Sequence, residues 1–253
     1  MKKFFLLLLL LPIIWKCSKD PIPPVEKPKE IKAPEKTCYM TKTESQNFYI
    51  LYEYDAANKL SKSISYIDGK IYKTTTYIYS EKDLVKAEEF DASGKIISYA
   101  KYNKLGNNVT FTTYGLERNE FIEQSKQMFE LNADGKYLKI KNWLPNPNTK
   151  SLEFSSYSNY EYFQDTAVEA KVFSASDKLL YTYMYVLDDK HNANKYNNIL
   201  PVMTQHNIVR TDIYNTDGIL SGSLFNNHIY NDNGFPVETT SDNAITKNTY
   251  NCH

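Results

Sequence analysis

Arginine, glycine and net charge are scarce in this chain. Its 253 residues include 2 Arg against 28 Lys and only 8 Gly, and 30 basic residues balance 30 acidic ones. Arginine is the side chain best suited to bind phosphate or carboxylate through two parallel hydrogen bonds. With two arginines, the chain has few residues for recognition of that kind. The charge balance also excludes the basic surface of a typical nucleic-acid-binding protein. We therefore expect no nucleic acid among its partners.

The sequence also lacks the common motifs of catalysis and metal binding. It contains no Gly-x-Ser-x-Gly, no glycine-rich phosphate loop, no Cys-x-x-Cys and no His-x-x-x-His. Glu88 and Glu89 are neighbours, and neighbouring residues of a strand point to opposite faces, so they cannot act together as the two carboxylates of a glycosidase. We predict a protein that is not an enzyme and that uses no metal or cofactor. A hydrolase with carboxylates dispersed over several strands is an alternative.

Long apolar runs are absent after the first sixteen residues. Met1-Lys2-Lys3 is positively charged, and residues 4–15 form an apolar run interrupted by Pro12. As a helix this run would span about 18 Å at 1.5 Å per residue, short of the roughly 30 Å core of a bilayer. It is typical of a secretory signal peptide rather than a membrane anchor, and we assign residues 1–16 to that peptide.

The residues that follow the apolar run are Cys17-Ser18-Lys19-Asp20. This start resembles that of mature bacterial lipoproteins of the Bacteroidetes, in which the cysteine becomes the acylated N-terminus. The resemblance implies lipidation of Cys17, a membrane partner through the lipid, and an outer membrane lipoprotein that faces the periplasm or the cell surface. Several acyl chains on one cysteine anchor a protein stably, whereas a single chain binds only marginally. The alternative is a secreted protein whose Cys17 is an incidental thiol.

A segment rich in proline, lysine and glutamate separates this cysteine from the rest of the chain. Its prolines lie at positions 21, 23, 24, 28 and 34. Proline favours extended backbone, and the segment has too few apolar residues to fold by itself. We therefore predict a tether over residues 17–37 and a single folded domain over residues 38–253.

One turn pattern recurs through the predicted domain. An aromatic or aliphatic residue is followed by Asp or Asn, two variable residues, and then Gly, Asn or Asp; clear copies lie at 54–58, 90–94, 131–135, 214–218 and 230–234. The Asp or Asn side chain accepts hydrogen bonds from the backbone ahead of it. The last position takes the positive φ that ends a short β-hairpin turn.

The segments between these turns are rich in Tyr, Ile, Thr and Phe, which is typical of strands. We predict an all-β domain: a large antiparallel meander sheet, open or barrel-like, with about a dozen strands joined in chain order by the Asp/Asn-x-x-Gly hairpin turns. Residues 117–128 fit a short helix or a strand equally, because Phe121, Ser125 and Met128 have near-helical spacing.

The stretches 185–192, 205–209 and 230–236, with the C-terminal 250–252, resemble those of a family of uncharacterised Bacteroidetes lipoproteins. That family is known only as a domain of unknown function, and some of its members are described as having a porin-like fold. The resemblance implies an open or barrel-like antiparallel sheet. It implies no activity, because the shared motifs are turns.

Two cysteines, Cys38 and Cys252, remain at the two ends of the domain if Cys17 carries lipid. An exported compartment permits disulfides. We predict a Cys38–Cys252 bridge that joins the first strand to the last. The alternative is a pair of free thiols in frayed termini.

Tyr181, Tyr183 and Tyr185 share one face of a predicted strand, since strand side chains alternate with a period of two. Tyrosine rings can stack on sugars or apolar ligands, so these three are candidate ligand-stacking residues; the alternative is that they only cover a sheet face. Our leading hypothesis is a non-catalytic binding or interaction module of the envelope, for a glycan or an envelope protein. A structural envelope protein without a small ligand is another alternative.

Overall fold

The protein is a closed barrel of sixteen antiparallel strands, in which each strand pairs with its neighbours in the chain and β1 pairs with β16. The computed structural model describes residues 36–196, 199–242 and 244–253. The strands are β1 (Cys38–Ser45), β2 (Phe48–Tyr54), β3 (Leu60–Ile67), β4 (Lys70–Ser80), β5 (Asp83–Asp91), β6 (Ile96–Leu105), β7 (Asn108–Glu117), β8 (Glu120–Leu131), β9 (Tyr137–Pro145), β10 (Leu152–Phe163), β11 (Ala167–Ser174), β12 (Leu179–Leu187), β13 (Ile208–Tyr214), β14 (Leu220–Tyr230), β15 (Pro236–Ser241) and β16 (Ala244–Cys252). The predicted all-β meander is confirmed, in its barrel-like form. In the part of the chain that the structure describes, no helix is long and apolar enough to cross a membrane.

The recurrent turns form as the sequence predicts. Asp55 accepts hydrogen bonds from the backbone N–H of Ala57 at 2.9 Å and of Lys59 at 2.8 Å. Asn58, the last residue of this turn, has a φ of 59°. Asn215 makes the same two kinds of bond, to Asp217 and Ile219 at 3.0 and 2.9 Å. Each such turn reverses the chain and sets the register of the hairpin that it closes.

The number of strands exceeds the predicted dozen because several hairpins have two-residue turns that lack the Asp/Asn-x-x-Gly pattern. Arg118 and Asn119 form one of them, with φ of 49° and 71°. Their turn separates β7 from β8, so the strand alternative for residues 117–128 is the correct one. Gln46 and Glu81 also have positive φ at such turns, 50° and 53°. L-residues other than Asn and Asp rarely take this conformation, so composition does not reveal these turns.

Register pairs define which side chains share the inner face of the barrel. Tyr52 lies opposite Ser63, Ser63 opposite Thr75, Thr75 opposite Glu89, and Glu89 opposite Ser98. Partners across an antiparallel sheet project to the same side. This row faces the lumen, because its members line a cavity together with Asn194 and Ile199 of the connection between β12 and β13.

The outer face carries ion pairs and stacked rings. Glu88, next to the lumenal Glu89, points outward and pairs with Lys86 at 2.6 Å. Outward pairs on other strands include Lys62–Glu53 at 3.7 Å, Lys141–Glu130 at 2.6 Å, Lys171–Glu169 at 2.6 Å, Arg210–Asp212 at 3.1 Å and Lys247–Glu238 at 3.8 Å. Tyr99 and Tyr114 stack at 4.5 Å between ring centroids. The outer face therefore carries ion pairs both within and between strands, together with stacked aromatic pairs between strands.

A disulfide joins Cys38 to Cys252, as predicted, across a sequence separation of 214 residues. The two residues are register partners at the ends of β1 and β16, and Cys38 is 2% exposed. Beyond the bridge, Thr37 and His253 exchange two backbone hydrogen bonds of 3.1 Å. Covalent and hydrogen bonds thus close the barrel at the same place.

Removing this bridge should destabilise the barrel. Cross-linking so long a loop restricts the unfolded chain and contributes up to about 5 kcal/mol in the chain-entropy model. The double variant Cys38→Ser/Cys252→Ser should therefore unfold at lower denaturant concentration, by up to that free energy. Cys17→Ser is the control and should leave the unfolding midpoint unchanged. Equal midpoints for the double variant and the parent protein would contradict the stabilising role.

Candidate functional site

The β12–β13 connection, residues 188–207, is the longest among the strand connections, and we call it the strap. Residues 197 and 198 of the strap lie outside the described residues. Strand direction alternates, so connections after even-numbered strands lie at the mouth where β1 begins and β16 ends. We call this the terminal mouth, and the opposite end the free mouth. The strap therefore starts and ends at the terminal mouth.

Asn207 fixes the two ends of the strap to each other. It is 5% exposed, and its side-chain amide donates to Asp188 Oδ2 at 3.2 Å and to the His191 carbonyl at 2.8 Å. The backbone N–H of Asn207 donates to Asp188 Oδ1 at 3.0 Å. The hydroxyl of Tyr230 also donates to Asp188. Burial, and then the Asp188 carboxylate, raise the pKa of Tyr230, which keeps this hydroxyl a donor.

The middle of the strap reaches the far wall of the barrel. Ile199 and Leu200 lie beside residues of β5 to β7, among them Leu84, Tyr102 and Val109. In a ring of sixteen strands, β5 is about halfway round from the β12–β13 pair. The strap therefore crosses the lumen from one wall to the other.

Two further contacts fasten the returning part of the strap. The Tyr137 hydroxyl donates to the Pro201 carbonyl, and the Tyr162 hydroxyl donates to the Met203 carbonyl at 3.1 Å. Tyr137 and Tyr162 come from β9 and β10, near the terminal mouth. Burial raises the pKa of both to about 12.

The first half of the strap packs on an aromatic cluster at the terminal mouth. Phe235 is fully buried at 0% exposure, with its ring centroid 4.8 Å from His191, 5.9 Å from Tyr196 and 5.4 Å from Tyr250. Tyr196 also lies 5.9 Å from Tyr39 of β1. The strap is thus in contact with the barrel wall near β1 and near β9 to β10, and it shares a cavity with residues of β5 to β7.

A cavity of about 380 Å³ remains in the lumen, between the strap and strands β2 to β7. Asn194 and Ile199 of the strap line it, with Ile50, Ala87, Ala100 and Phe111. The hydroxyl-bearing side chains of its wall are Tyr52, Ser63, Ser65, Thr75, Tyr77, Ser98, Tyr102 and Thr113. The cavity therefore combines apolar surface with many hydroxyl groups.

One ion pair supplies the charge of this wall. Lys73 Nζ lies 2.6 Å from Glu89 Oε1, and the Ser98 hydroxyl donates to Glu89 Oε2 at 2.6 Å. Burial raises the pKa of Glu89, but the hydrogen bonds from Lys73 and Ser98 outweigh burial and lower that pKa below its usual value. Glu89 is therefore ionised at neutral pH and acts as an acceptor, and the lining as a whole carries no net charge.

Tyrosine hydroxyls of the cavity stay protonated. Burial raises the pKa of Tyr52, Tyr77 and Tyr102. The Tyr77 hydroxyl lies 3.2 Å from the Ser63 hydroxyl, within hydrogen-bond distance. Each ring thus presents an apolar face together with a group that can donate and accept.

The structure places the three predicted stacking tyrosines on the inner face of β12. Tyr183 is opposite Ala170 and Tyr185 opposite Val168, both buried. The rings form a row, with centroids 5.1 Å apart for Tyr181–Tyr183 and 5.8 Å for Tyr183–Tyr185. They do not line the cavity, which is bordered by β2 to β7. Ligand stacking by this row remains a prediction.

The cavity residues were not predicted as a site. Tyr77 and Glu89 stand out in the sequence as aromatic and acidic residues of strands, but nothing there shows that Lys73 and Ser98 meet Glu89. The alternation of each strand indicates a shared face, and only barrel closure makes that face a lumen. Cys17, the predicted lipidation site, lies outside the described residues.

Comparisons with known proteins identify the fold. No protein-family model matches the chain, and no curated protein sequence matches it. The crystal structure of a porin-like protein from Bacteroides uniformis superposes with a TM-score of 0.53 at 13% identity, covering 84% of this chain and 98% of that chain. The chain has a porin-like fold.

Two other crystal structures match less well. A porin-like protein from Bacteroides vulgatus has a TM-score of 0.39 at 11% identity, covering 85% of this chain and 99% of that one. A protein of unknown function from Bacteroides fragilis has a TM-score of 0.30 at 16% identity, over 48% and 84% of the two chains.

The buried tyrosines beneath the strap should make the barrel sensitive to alkali. Burial raises the pKa of Tyr137, Tyr160 and Tyr162 to about 12. The folded state holds these protons more tightly than the unfolded chain does. The resulting stability is fully present below a pH of about 10 and is lost as the pH rises through about 12.

Denaturant unfolding at about pH 9 and about pH 11 would measure this loss. Tyr160→Phe removes one of the ionising groups and keeps the ring, so its loss of stability should be smaller than that of the parent protein. Tyr72→Phe, at a ring that is 57% exposed, is the control and should behave like the parent. If the loss of stability between the two pH values is the same in all three proteins, the sensitivity to alkali does not come from the buried tyrosines.

Proposed function

We propose that this chain is a non-catalytic envelope protein that binds a glycan in the lumen of its barrel. In this proposal the barrel stays in water and is attached to the membrane by lipid on Cys17. The observation that carries the proposal is the cavity beneath the strap, where one ion pair lies among hydroxyl groups and aromatic rings.

The chemistry of the lining supports a sugar. A sugar ring presents adjacent hydroxyls, each of which can donate and accept, next to apolar C–H faces. Glu89 offers an acceptor beside the Lys73 ammonium, which is a donor. Tyr77, Tyr102 and Phe111 offer ring faces that can cover the apolar side of a sugar. The absence of net charge in the lining favours a neutral ligand over a charged one.

Two features of the same wall disfavour hydrolysis. Canonical glycosidases use a pair of carboxyl groups on either side of the bond that is cleaved. Among the described residues that line the cavity, Glu89 is the one carboxylate. Its pKa is lowered, whereas a catalytic acid needs a raised one. This supports binding rather than turnover.

The outer face supports a barrel in water. Barrels that span a membrane carry an outward apolar band about 25 Å tall, and a Lys or Arg at its middle costs about 2–4 kcal/mol. Here Lys62, Lys86 and Lys141 lie in the interior of their strands and face outward, each paired with a glutamate. Attachment would then come from the lipid on Cys17, as in the lipoproteins that the N-terminus resembles.

Binding can be tested with a panel of neutral oligosaccharides and polysaccharides, using the full chain in detergent and titration calorimetry. Glu89→Gln removes the charge of the lumenal carboxylate, and Glu88→Gln makes the same change one residue away on the outer face. A hydrogen bond to a charged group contributes about 1.5–3 kcal/mol, so Glu89→Gln should weaken binding by about tenfold or more. Glu88→Gln should leave binding unchanged.

The proposal fails if no saccharide of the panel binds. It also fails if the two glutamine variants lose the same affinity, because the lumenal site would then not be the binding site. Circular dichroism and a shared unfolding midpoint would show that both variants are folded.

Attachment through Cys17 can be tested separately. A specific protease site inserted between Pro24 and Val25 would allow the barrel to be cut from its anchor in isolated membranes. We expect the cut barrel to appear in the aqueous phase after phase separation with detergent, and the uncut protein in the detergent phase. Labelled fatty acid should be incorporated by the parent protein and not by Cys17→Ser. A cut barrel that stays with the membrane would contradict the proposal.

A further inference from the structure

We infer that a second saccharide-binding surface lies in the lumen, on the tyrosine row of β12, and that the ligand is an oligosaccharide long enough to contact two walls of the barrel. The tyrosine row consists of Tyr181, Tyr183 and Tyr185. This inference rests on the proposed function and specifies its ligand. It follows from the open space beside the row and from the place of the row across the lumen from the ion pair.

The tyrosine row belongs to a wider inner surface that continues over β13 to β14. Tyr183 lies opposite Ile213, and Ile213 lies opposite Gly222. A second line of register partners leads from Tyr185 across β13 to Leu224. Register partners project to the same side of a sheet. The inner residues of these three strands therefore form one surface, which we call the tyrosine surface.

The tyrosine surface is open to a ligand. Tyr181, near the free mouth, is 37% exposed and Leu224 is 47% exposed, although both face the lumen. A Cβ atom added at Gly222 would meet no atom within 4 Å outside the adjoining residues. Toward β11 the row is packed, because its register partners Val168 and Ala170 are buried. Water, and therefore a ligand, reaches the surface on its β13 and β14 side.

The tyrosine surface lies across the lumen from the ion pair of Lys73 and Glu89. In the ring of sixteen strands, β12 is eight places from β4, which carries Lys73. Strands about 4.8 Å apart and tilted by about 40° make a round barrel of sixteen strands about 30 Å wide between backbones. Lys73 and Tyr181 both lie within four residues of the strand ends at the free mouth. A ligand that contacts both walls must therefore be longer than a disaccharide.

The two walls differ in chemistry, and both suit a neutral sugar. Lys73 and Glu89 offer a charged donor and a charged acceptor, whereas the residues named for the tyrosine surface are uncharged. Burial raises the pKa of Tyr183 and Tyr185, so their hydroxyls stay protonated and can donate and accept. Their rings can cover the C–H face of a sugar. Because the surface is partly in water, it suits a sugar better than an acyl chain, which gains most from complete burial.

The decisive experiment measures affinity against chain length, with oligosaccharides of defined length made from a saccharide that binds in the panel described above. Two linked contacts bind more tightly than one. We therefore expect the longest oligosaccharide to bind the full chain in detergent at least tenfold more tightly than the disaccharide does, by titration calorimetry. We call this ratio of affinities the length gain.

Variants assign the length gain to the tyrosine surface. The double variant Tyr181→Leu/Tyr183→Leu removes two rings, keeps apolar residues in their place, and should abolish the length gain. Tyr181→Leu alone, at the more exposed ring, should lose part of it. Tyr214→Leu makes the same change on the outer face of β13 and is the control, which should keep the length gain in full. Circular dichroism and unfolding midpoints would show that the variants are folded.

A length gain that survives the loss of both rings would overturn the inference, and so would equal affinities for all lengths in the parent protein. An equal loss in Tyr214→Leu would also overturn it, because the second contact would then lie outside the lumen. In each of these cases Glu89→Gln still weakens binding of the disaccharide if the proposed function holds, so the two fail separately. If no saccharide of any length binds, both fail.

Discussion

The pairing of the first strand with the last is the interaction on which the rest of the structure depends. An open sheet would leave β1 and β16 as edges with unpaired backbone groups. Their register, with Cys38 opposite Cys252 at one end and Glu44 opposite Lys247 at the other, removes both edges. It also decides which face of every strand becomes the lumen. The cavity and the contacts of the strap exist only because the wall is continuous.

A barrel of this size creates a packing problem that the strap solves. Side chains can fill the interior of an eight-stranded barrel, whereas sixteen to eighteen strands leave an open channel. Here the inner wall is rich in Ser, Thr, Ala and Tyr, which are too small or too polar to fill that space alone. The strap occupies the terminal mouth, held by Asn207 at its base and by Phe235, Tyr137 and Tyr162 across it. What is left is a cavity of about 380 Å³ between the strap and strands β2 to β7.

Local features of the fold could be predicted from the sequence, and long-range ones could not. The Asp55 and Asn215 turns follow from side-chain hydrogen bonds within five residues. The Arg118–Asn119 turn carries no such signal, so the strand count is underestimated. Cys38 and Cys252 could be paired because of their positions and the exported context. The cluster of Lys73, Glu89 and Ser98 depends on the register of three strands, which no short motif encodes.

The path of the strap across the barrel is another long-range feature that could not be predicted from the sequence. The direction in which so long a connection folds depends on the residues that it meets across the barrel. The row of Tyr181, Tyr183 and Tyr185 shares a face as predicted. The sequence does not show that this face points into the lumen, or that the cavity lies along β2 to β7 instead. Both facts depend on the closure of the barrel by β1 and β16.

Hydrogen exchange of the backbone amides tests this closure most directly. In a closed barrel every strand has two hydrogen-bonded neighbours, so amides of β1 and β16 should exchange as slowly as those of β7 and β8. The measurement uses the full chain with its disulfide intact, and peptides that cover each strand. Rapid exchange in β1 and β16 beside slow exchange in β7 and β8 would show an open sheet and contradict the account.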